Sequence, residues 1–316
     1  MSASTAPPDA DAPSGGPADL PDFLLIGAAK AGTTAMFRAI GRHPQAFCSR
    51  IKEPRFFALG GQLHDHSGPG SKSRARLVHR EEDYRALFAG RPAGTLAGEA
   101  STWYLHSPAA PAAASRLVPR ARLVAILRHP VERAFSQYLH IRHYGSEPIA
   151  DFAQAWDAEP ERIARGWRPA FYYRQRGLYG GQLDRWLQFF PREQLLITFY
   201  EDWIRRPVEV LDATFRHIGL EPLKGAVVTR ENVTSRPPRW TWLHNRLQRD
   251  TAIRRWAHRR LPPAVRDAVT RSIQTINLKE APKLDPAVRA RLAVTCHDDI
   301  ERVEAITGRD LSSWKC

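Results

Sequence analysis

Short apolar runs alternate along the chain with longer segments whose apolar residues recur every three or four positions. Phe23 to Ile26 is apolar throughout, as a strand buried on both faces should be, and a small-residue turn then leads into a helical pattern from Gly32 onward. "TLAGEASTWYL", residues 95 to 105, reads as a second core strand running into a loop, and "RLVAILR", residues 122 to 128, as a third. "SPAAPAAASRLV" between them has the composition of a helix. After an amphipathic helix near Tyr179 and a proline-marked break, Leu195 to Phe199 reads as a fourth strand. Strands alternating with helices predict an α/β fold, a parallel sheet flanked by helices on both faces.

The segment "HPVERAFSQYLHIRHY" begins with Pro130, suited to a first helical position, and sets Val131, Phe135, Tyr138 and Ile141 on one side. Glu132, Arg133, Ser136 and His140 occupy the other. "PVEVLDATFRHIGL" predicts a helix closed by Gly219, and the C-terminal stretch a helix ended by Gly308 with a tryptophan-anchored tail. "AFCSRIKEPRFF" reads as a structured loop because Pro54 interrupts any helix, and residues 60 to 80 as an exposed excursion.

Residues 1 to 20 hold too few apolar side chains to offset the entropy of ordering and are expected to form a disordered tail. Residues 21 to 316 then form one domain, with a core over 22 to 220 and a basic, tryptophan-containing, helical C-terminal portion over 232 to 316. There is no internal repeat.

A formal charge of +14 predicts a surface that attracts anions. Cys48, Cys296 and Cys316 are too few and too scattered for a disulfide framework or a zinc site, and no metal is implied. No segment approaches the roughly 18 apolar residues of a membrane span, and the start lacks a secretory pattern, so the expected location is cytoplasmic.

The candidate chemistry begins in "GAAKAGTTA". A loop between a parallel strand and a helix aims several backbone N–H groups at one point, where the positive helix end favours an anion. Gly27 and Gly32 permit close approach, and Lys30, Thr33 and Thr34 add a cation and hydroxyl donors. The usual phosphate loop carries its lysine directly after the second glycine, whereas Lys30 precedes Gly32 by two residues. In "LRHPVERAFSQY", Arg128 ends a strand and Ser136 lies on the polar face of the next helix, so both can reach the crevice where such sheets bind ligands. Two anion-gripping pieces on neighbouring strand ends imply a ligand with two separated charges.

On these residues the chain resembles sulfotransferases that use 3′-phosphoadenosine 5′-phosphosulfate, which have a P-loop-like sheet. The resemblance is to a bacterial member closer to the glycan and heparan-sulfate type than to the cytosolic type. It implies that Lys30, Ala31, Gly32, Thr33 and Thr34 hold the 5′-phosphosulfate and that Arg128 and Ser136 hold the 3′-phosphate. Lys30 would also stabilise charge on the leaving phosphate, with no metal required. "FYED" places Tyr200 where the family contacts adenine, and Arg236 or Arg239 would reach the phosphates from a C-terminal flap.

The acceptor, a small molecule or glycan, must lose a proton as it attacks sulfur. "KEPRFF" resembles the E-P-x-F-F stretch that carries the base in glycan members, and its Glu53 lies 23 residues beyond Lys30. Glu99 at the second strand's end is the alternative base, and His64 or His66 a third, as cytosolic members use histidine. Ala58 departs from glycan members that have aspartate after the two aromatics, which loosens any transfer of sugar specificity. The acceptor group is expected to be a hydroxyl, with an amine second. His43 and His129, beside prolines at element boundaries, read as structural.

Two other readings compete. An ATP-dependent small-molecule kinase would need magnesium and an aspartate at a strand end, but the clearest strands end in Gly27, Glu99 and Arg128. A non-enzymatic basic module for nucleic acid or membrane rests on charge and on the Arg- and Trp-rich 236 to 260 stretch. The expectation is an enzyme with no nucleic-acid partner, with peripheral membrane contact left open. The sequence carries no signal for an oligomeric state.

Overall fold

The computed structural model describes residues 19–59, 66–69, 78–223 and 282–316. The expectations for the tail up to residue 18, for most of the 60 to 80 excursion and for the basic tryptophan-bearing stretch lie outside the described residues. At the tail's end the boundary moves: Leu20 is buried in the core and Asp19 pairs with Arg85 at 2.9 Å.

In chain order the elements are β1 (Phe23–Gly27), α1 (Thr33–Ile40), β2 (Ala46–Cys48), α2 (Phe56–Leu59), α3 (Glu81–Arg85) and β3 (Leu96–Ala100). Next come α4 (Trp103–His106), α5 (Ala110–Leu117), β4 (Arg122–Leu127), α6 (Pro130–His143), α7 (Phe152–Asp157) and α8 (Glu159–Ala164). The rest are α9 (Tyr179–Leu187), β5 (Leu195–Phe199), α10 (Tyr200–Arg205), α11 (Pro207–Ile218), α12 (Pro286–Val294) and α13 (His297–Thr307).

The strands form one parallel sheet in the order β2-β3-β1-β4-β5. β1 sits at its centre with every residue buried, which is why its sequence is apolar without alternation. Helices α1 and α11 pack together against the sheet, and α4 packs on β1 and against α9. Phe23 pairs with Gly98 across β1 and β3, and a Cβ on Gly98 would sit 2.2 Å from the Phe23 ring, so only glycine lets that ring lie flat on the next strand.

Three expectations change. Residues 46 to 48, read as loop, form the edge strand β2, which makes the predicted fourth strand the fifth. The single C-terminal helix is two, α12 and α13, broken at Thr295 and Cys296; Gly308 ends α13 in the left-handed region as expected, and Trp314 is buried. On α6, Arg133 is fully buried although it lies on the polar face, because the segment around Tyr173 covers that side and takes its Nη2 hydrogen bond. No helix among the described residues is long and apolar enough to cross a membrane.

Candidate active site

The predicted pieces leave the carboxyl ends of strands that are neighbours in the sheet. The Lys30 loop follows β1, Arg128 follows β4, Tyr200 follows β5, and Glu99 is the last residue but one of β3. Parallel strands put all these ends along one rim, the place where open α/β sheets bind ligands.

At the loop, Ala28 N–H donates to the Ile126 carbonyl over 2.7 Å, tying the turn to β4. Lys30 has φ of 69° and Gly32 φ of 91°, both in the left-handed region. Gly32 is the N-cap of α1, where no side chain caps the helix and no acidic residue sits in the first turn. The first N–H groups of α1 are thus left for an anion. A Cβ on Gly32 would meet Trp203 Cδ1 at 3.0 Å, so the rings of α10 lie hard against the loop. Thr33 and Ala31 are buried and Thr34 is half-buried. Burial, and then the charge of Arg128, bring the Lys30 ammonium down to a pKa of about 8.

Arg128 is the hub of the second piece. Its Nη1 donates to the Lys30 carbonyl at 3.1 Å, its Nη2 lies 3.6 Å from Glu132, and its guanidinium stands 4.6 Å over the Tyr200 ring. Lys30, Arg128 and Tyr200 are therefore brought together. Ser136 lies half-buried on α6, one turn beyond Glu132 and one turn before His140. The His140 imidazole is held down at about 4 by burial and then by the charge of Lys30, so it lies within electrostatic reach of the loop. Arg236 lies outside the described residues.

Glu53 sits beside β3. Its N–H donates to the Ala100 carbonyl at 2.9 Å, its carboxylate accepts the Thr102 N–H and Oγ–H at 3.0 Å each, and Lys52 Nζ lies 3.0 Å away. The side chain remains 23% exposed, so it can meet a second molecule. Glu99 differs. It is fully buried, accepting from Tyr84 at 3.3 Å, from Tyr104, and from Ser101 at 3.0 Å. Burial pushes its carboxyl up to about 7, with the hydroxyl donors pulling the other way. His66 comes within 6.3 Å of the Trp103 ring, and His64 lies outside the described residues.

His43 and His129 are structural, as the sequence suggests. His43 bridges Glu221 O and Gln45 N at 3.0 and 3.1 Å, and His129 caps α6 by accepting from Val131 N at 3.2 Å.

Sequence reasoning missed Thr102, which holds Glu53, and Arg176, whose Nη2 lies 3.5 Å from the Thr102 carbonyl. Thr102 had a faint signal, a hydroxyl residue at the start of the short α4; Arg176 had none. Among the described residues the non-glycines with left-handed φ are Lys30, Glu53 and Arg55, all at this site. Such strain costs on the order of 1–3 kcal/mol per residue and clusters where function holds it in place.

An uncapped helix end with a lysine loop, an arginine stacked on a tyrosine and a held carboxylate, on the rim of a parallel sheet, define a P-loop-like group-transfer domain. The chain belongs to the Sulfotransferase family, whose model matches residues 21–224. It is 31% identical over 209 residues to human bifunctional heparan sulfate N-deacetylase/N-sulfotransferase 3, a match covering 64% of this chain and 23% of that protein. With bifunctional heparan sulfate N-deacetylase/N-sulfotransferase 1 of Caenorhabditis elegans it shares 28% over 210 residues, covering 64% and 22%. The chain thus spans under a quarter of the length of these curated relatives. A crystal structure of a sulfotransferase from Alicyclobacillus acidocaldarius superposes with a TM-score of 0.71 at 28% identity, covering 94% of this chain and 99% of that one.

Proposed function

We propose that the protein transfers a sulfuryl group from 3′-phosphoadenosine 5′-phosphosulfate to an acceptor hydroxyl or amine by in-line displacement. The observation that carries this reading is the convergence of Lys30, Arg128 and Tyr200 around the uncapped start of α1, with a held, partly exposed Glu53 at the end of the neighbouring strand β3.

The residues fit a donor that is anionic at both ends and aromatic at one. The N–H groups of α1 with Lys30, Thr33 and Thr34 take the phosphosulfate, Arg128 with Ser136 takes the 3′-phosphate, and Tyr200 offers a ring to the adenine. The donor supplies an activated sulfuryl group. Glu53 removes the acceptor proton as the acceptor's oxygen or nitrogen bonds to sulfur, and the bond from sulfur to the bridging oxygen breaks, leaving its electron pair on phosphate. Lys30 stabilises that developing charge. Glu53 is favoured over Glu99 because Glu99 is closed off from solvent and already engaged by three hydroxyls.

Relatives named as heparan sulfate N-sulfotransferases support a glycan acceptor and raise the amine alongside the hydroxyl. The free cysteines Cys48, Cys296 and Cys316 favour work in a reducing compartment such as the cytoplasm. Calorimetry with adenosine 3′,5′-bisphosphate, run against ATP with magnesium, tests the donor, and incubation with labelled donor and a panel of glycan, phenol and amine acceptors tests the transfer. Tight binding of ATP with magnesium and none of the bisphosphate would overturn the reading.

A further inference from the structure

We propose that the acceptor carries an oxyanion, a carboxylate or sulfate, close to the group that receives sulfur, and that Arg55 and Arg168, backed by Arg176, grip it beside Glu53. The inference rests on the sulfotransferase reading and names the acceptor chemistry of that same site.

Arg55 occupies the variable position of the E-P-x-F-F stretch, two residues beyond Glu53. Its guanidinium lies 4.3 Å over the Trp103 ring, and Arg176 approaches the same ring at 5.9 Å. Trp103 directly follows Thr102, the residue that holds the Glu53 carboxylate, so two arginines flank the base from one indole. Arg168 stacks at 5.4 Å on Phe171. Its charge is felt by Arg55 on one side and by His140 on the other, whose cationic neighbours include Lys30. Arg55 and Arg176 thus flank the base, and Arg168 lies within electrostatic reach of Arg55 and of His140.

Arg55 and Arg176 feel the charge of Glu53, but among the described residues none of the three bonds a carboxylate. Nε of Arg55 and Nε of Arg168 are buried with no hydrogen-bond partner. Arg176 is 5% exposed, and its one hydrogen bond among the described residues is the long contact to the Thr102 carbonyl. Among the described residues none of the three forms an ion pair; Arg133, buried under the Tyr173 segment away from the base, is likewise unpaired, whereas Arg162 and Arg91 have carboxylate partners. Arg162 meets Glu147 through two hydrogen bonds of 2.7 and 2.9 Å, and Arg91 meets Asp22 at 2.7 Å.

A desolvated cation without a counter-charge is costly, and a buried donor without an acceptor adds to that cost. Burial accordingly lowers all three guanidinia, Arg176 to about 9. Where such a group borders an open site, as beside the partly exposed Glu53, a ligand can supply the missing acceptor. The donor's charges already have their partners in Lys30, the start of α1 and Arg128. The single carboxylate of Glu53 leaves the acceptor side with a surplus of positive charge. A planar oxyanion matches guanidinium donors two at a time, which would also orient the acceptor toward Glu53.

The test measures binding to the protein loaded with adenosine 3′,5′-bisphosphate, so it does not depend on turnover. Three matched pairs serve as probes: p-nitrophenyl β-glucuronide and β-glucoside, 4-hydroxybenzoate and 4-hydroxybenzyl alcohol, and a uronate disaccharide with its carboxyl-reduced form. In at least one pair the charged member should bind about tenfold or more tightly than its neutral partner. Arg55→Gln and Arg168→Gln should each erase most of that preference, and Arg55→Lys should restore part of it. Bisphosphate affinity, which reports that the variants are folded, should stay within about twofold of wild type. Equal affinity for charged and neutral members in every pair, or a preference that survives both glutamine variants, overturns the inference. A wild-type protein that fails to bind the bisphosphate at all overturns the donor reading instead.

Discussion

Arg128 donates from Nη1 to the backbone carbonyl of Lys30 over 3.1 Å, so the residue that would read one end of the nucleotide also braces the loop that grips the other. The arginine and the loop are one mechanical unit. Arg128→Ala should weaken bisphosphate binding by roughly ten- to a hundredfold, the loss expected for a charge-assisted contact. Turnover at saturating donor should change much less. Arg128→Lys should recover only part of the affinity, because an ammonium cannot bond the carbonyl, stack on Tyr200 and meet a phosphate together. Titration calorimetry with steady-state kinetics separates the two effects.

Glu53→Gln should lower kcat by about 10²- to 10⁴-fold, the range for a lost general base, with bisphosphate affinity unchanged. Thr102→Val should cost less, since the Thr102 N–H still holds the carboxylate when the hydroxyl is gone. Near-normal turnover for Glu53→Gln would move the base to Glu99.

The Lys30 ammonium, ordinarily near 10.5, is lowered to about 8, so the free protein carries this cation below pH 8 and loses it above. A bound anion favours the charged form. Bisphosphate binding should therefore take up protons near pH 8, and affinity should fall between pH 7 and 9. Calorimetry in buffers of different ionisation enthalpy measures the uptake. In Lys30→Arg the guanidinium stays charged and the slope should flatten; an affinity in the wild type that does not change across this window would count against the assignment.

Glu99 titrates near 4.5 when unfolded and near 7 in the fold. Its folded value is raised, so between those two pH values the unfolded chain releases the proton while the fold keeps it, and stability falls as pH rises. The fall amounts to about 3 kcal/mol and levels off above pH 7. Glu99→Gln keeps the hydrogen-bonding shape without ionising. Thermal melts should show the variant gaining on wild type by several degrees from pH 4.5 to 7. A constant gap across that range would show that Glu99 is not the group responsible.

Much of this was legible from residue types alone. β1, β3, β4 and β5 announce themselves as apolar runs because parallel strands are covered on both faces. β2 is three half-buried residues at the sheet edge, too short to show a period. Lys30 and Arg128 could be found because anion binding favours cationic side chains at strand ends, and Tyr200 because "FYED" resembles a stretch of the sulfotransferases. Arg176 could not, since it reaches Thr102 across 74 residues of chain through tertiary packing. The left-handed backbone at Lys30, Glu53 and Arg55 was equally silent, because none of these residue types favours it. Arg133 misled the reading of α6, its solvent-facing appearance cancelled by the Tyr173 segment folded over it.

Trp314 lies within 6.0 Å of the His129 ring, 5.7 Å of Phe199 and 6.3 Å of Tyr179, side chains next to Arg128 and Tyr200 or at the foot of α9. Asp299 accepts from the N–H groups of Gly180 and Gly181 at 2.9 and 3.2 Å, and Arg309 pairs with Asp202. The stretch that carries the recognisable motifs nevertheless stops at residue 224. Trimming a gene to that boundary would uncover aromatic faces beside Arg128 and Tyr200 and should give an aggregating product, so expression vectors need to retain residues 282–316.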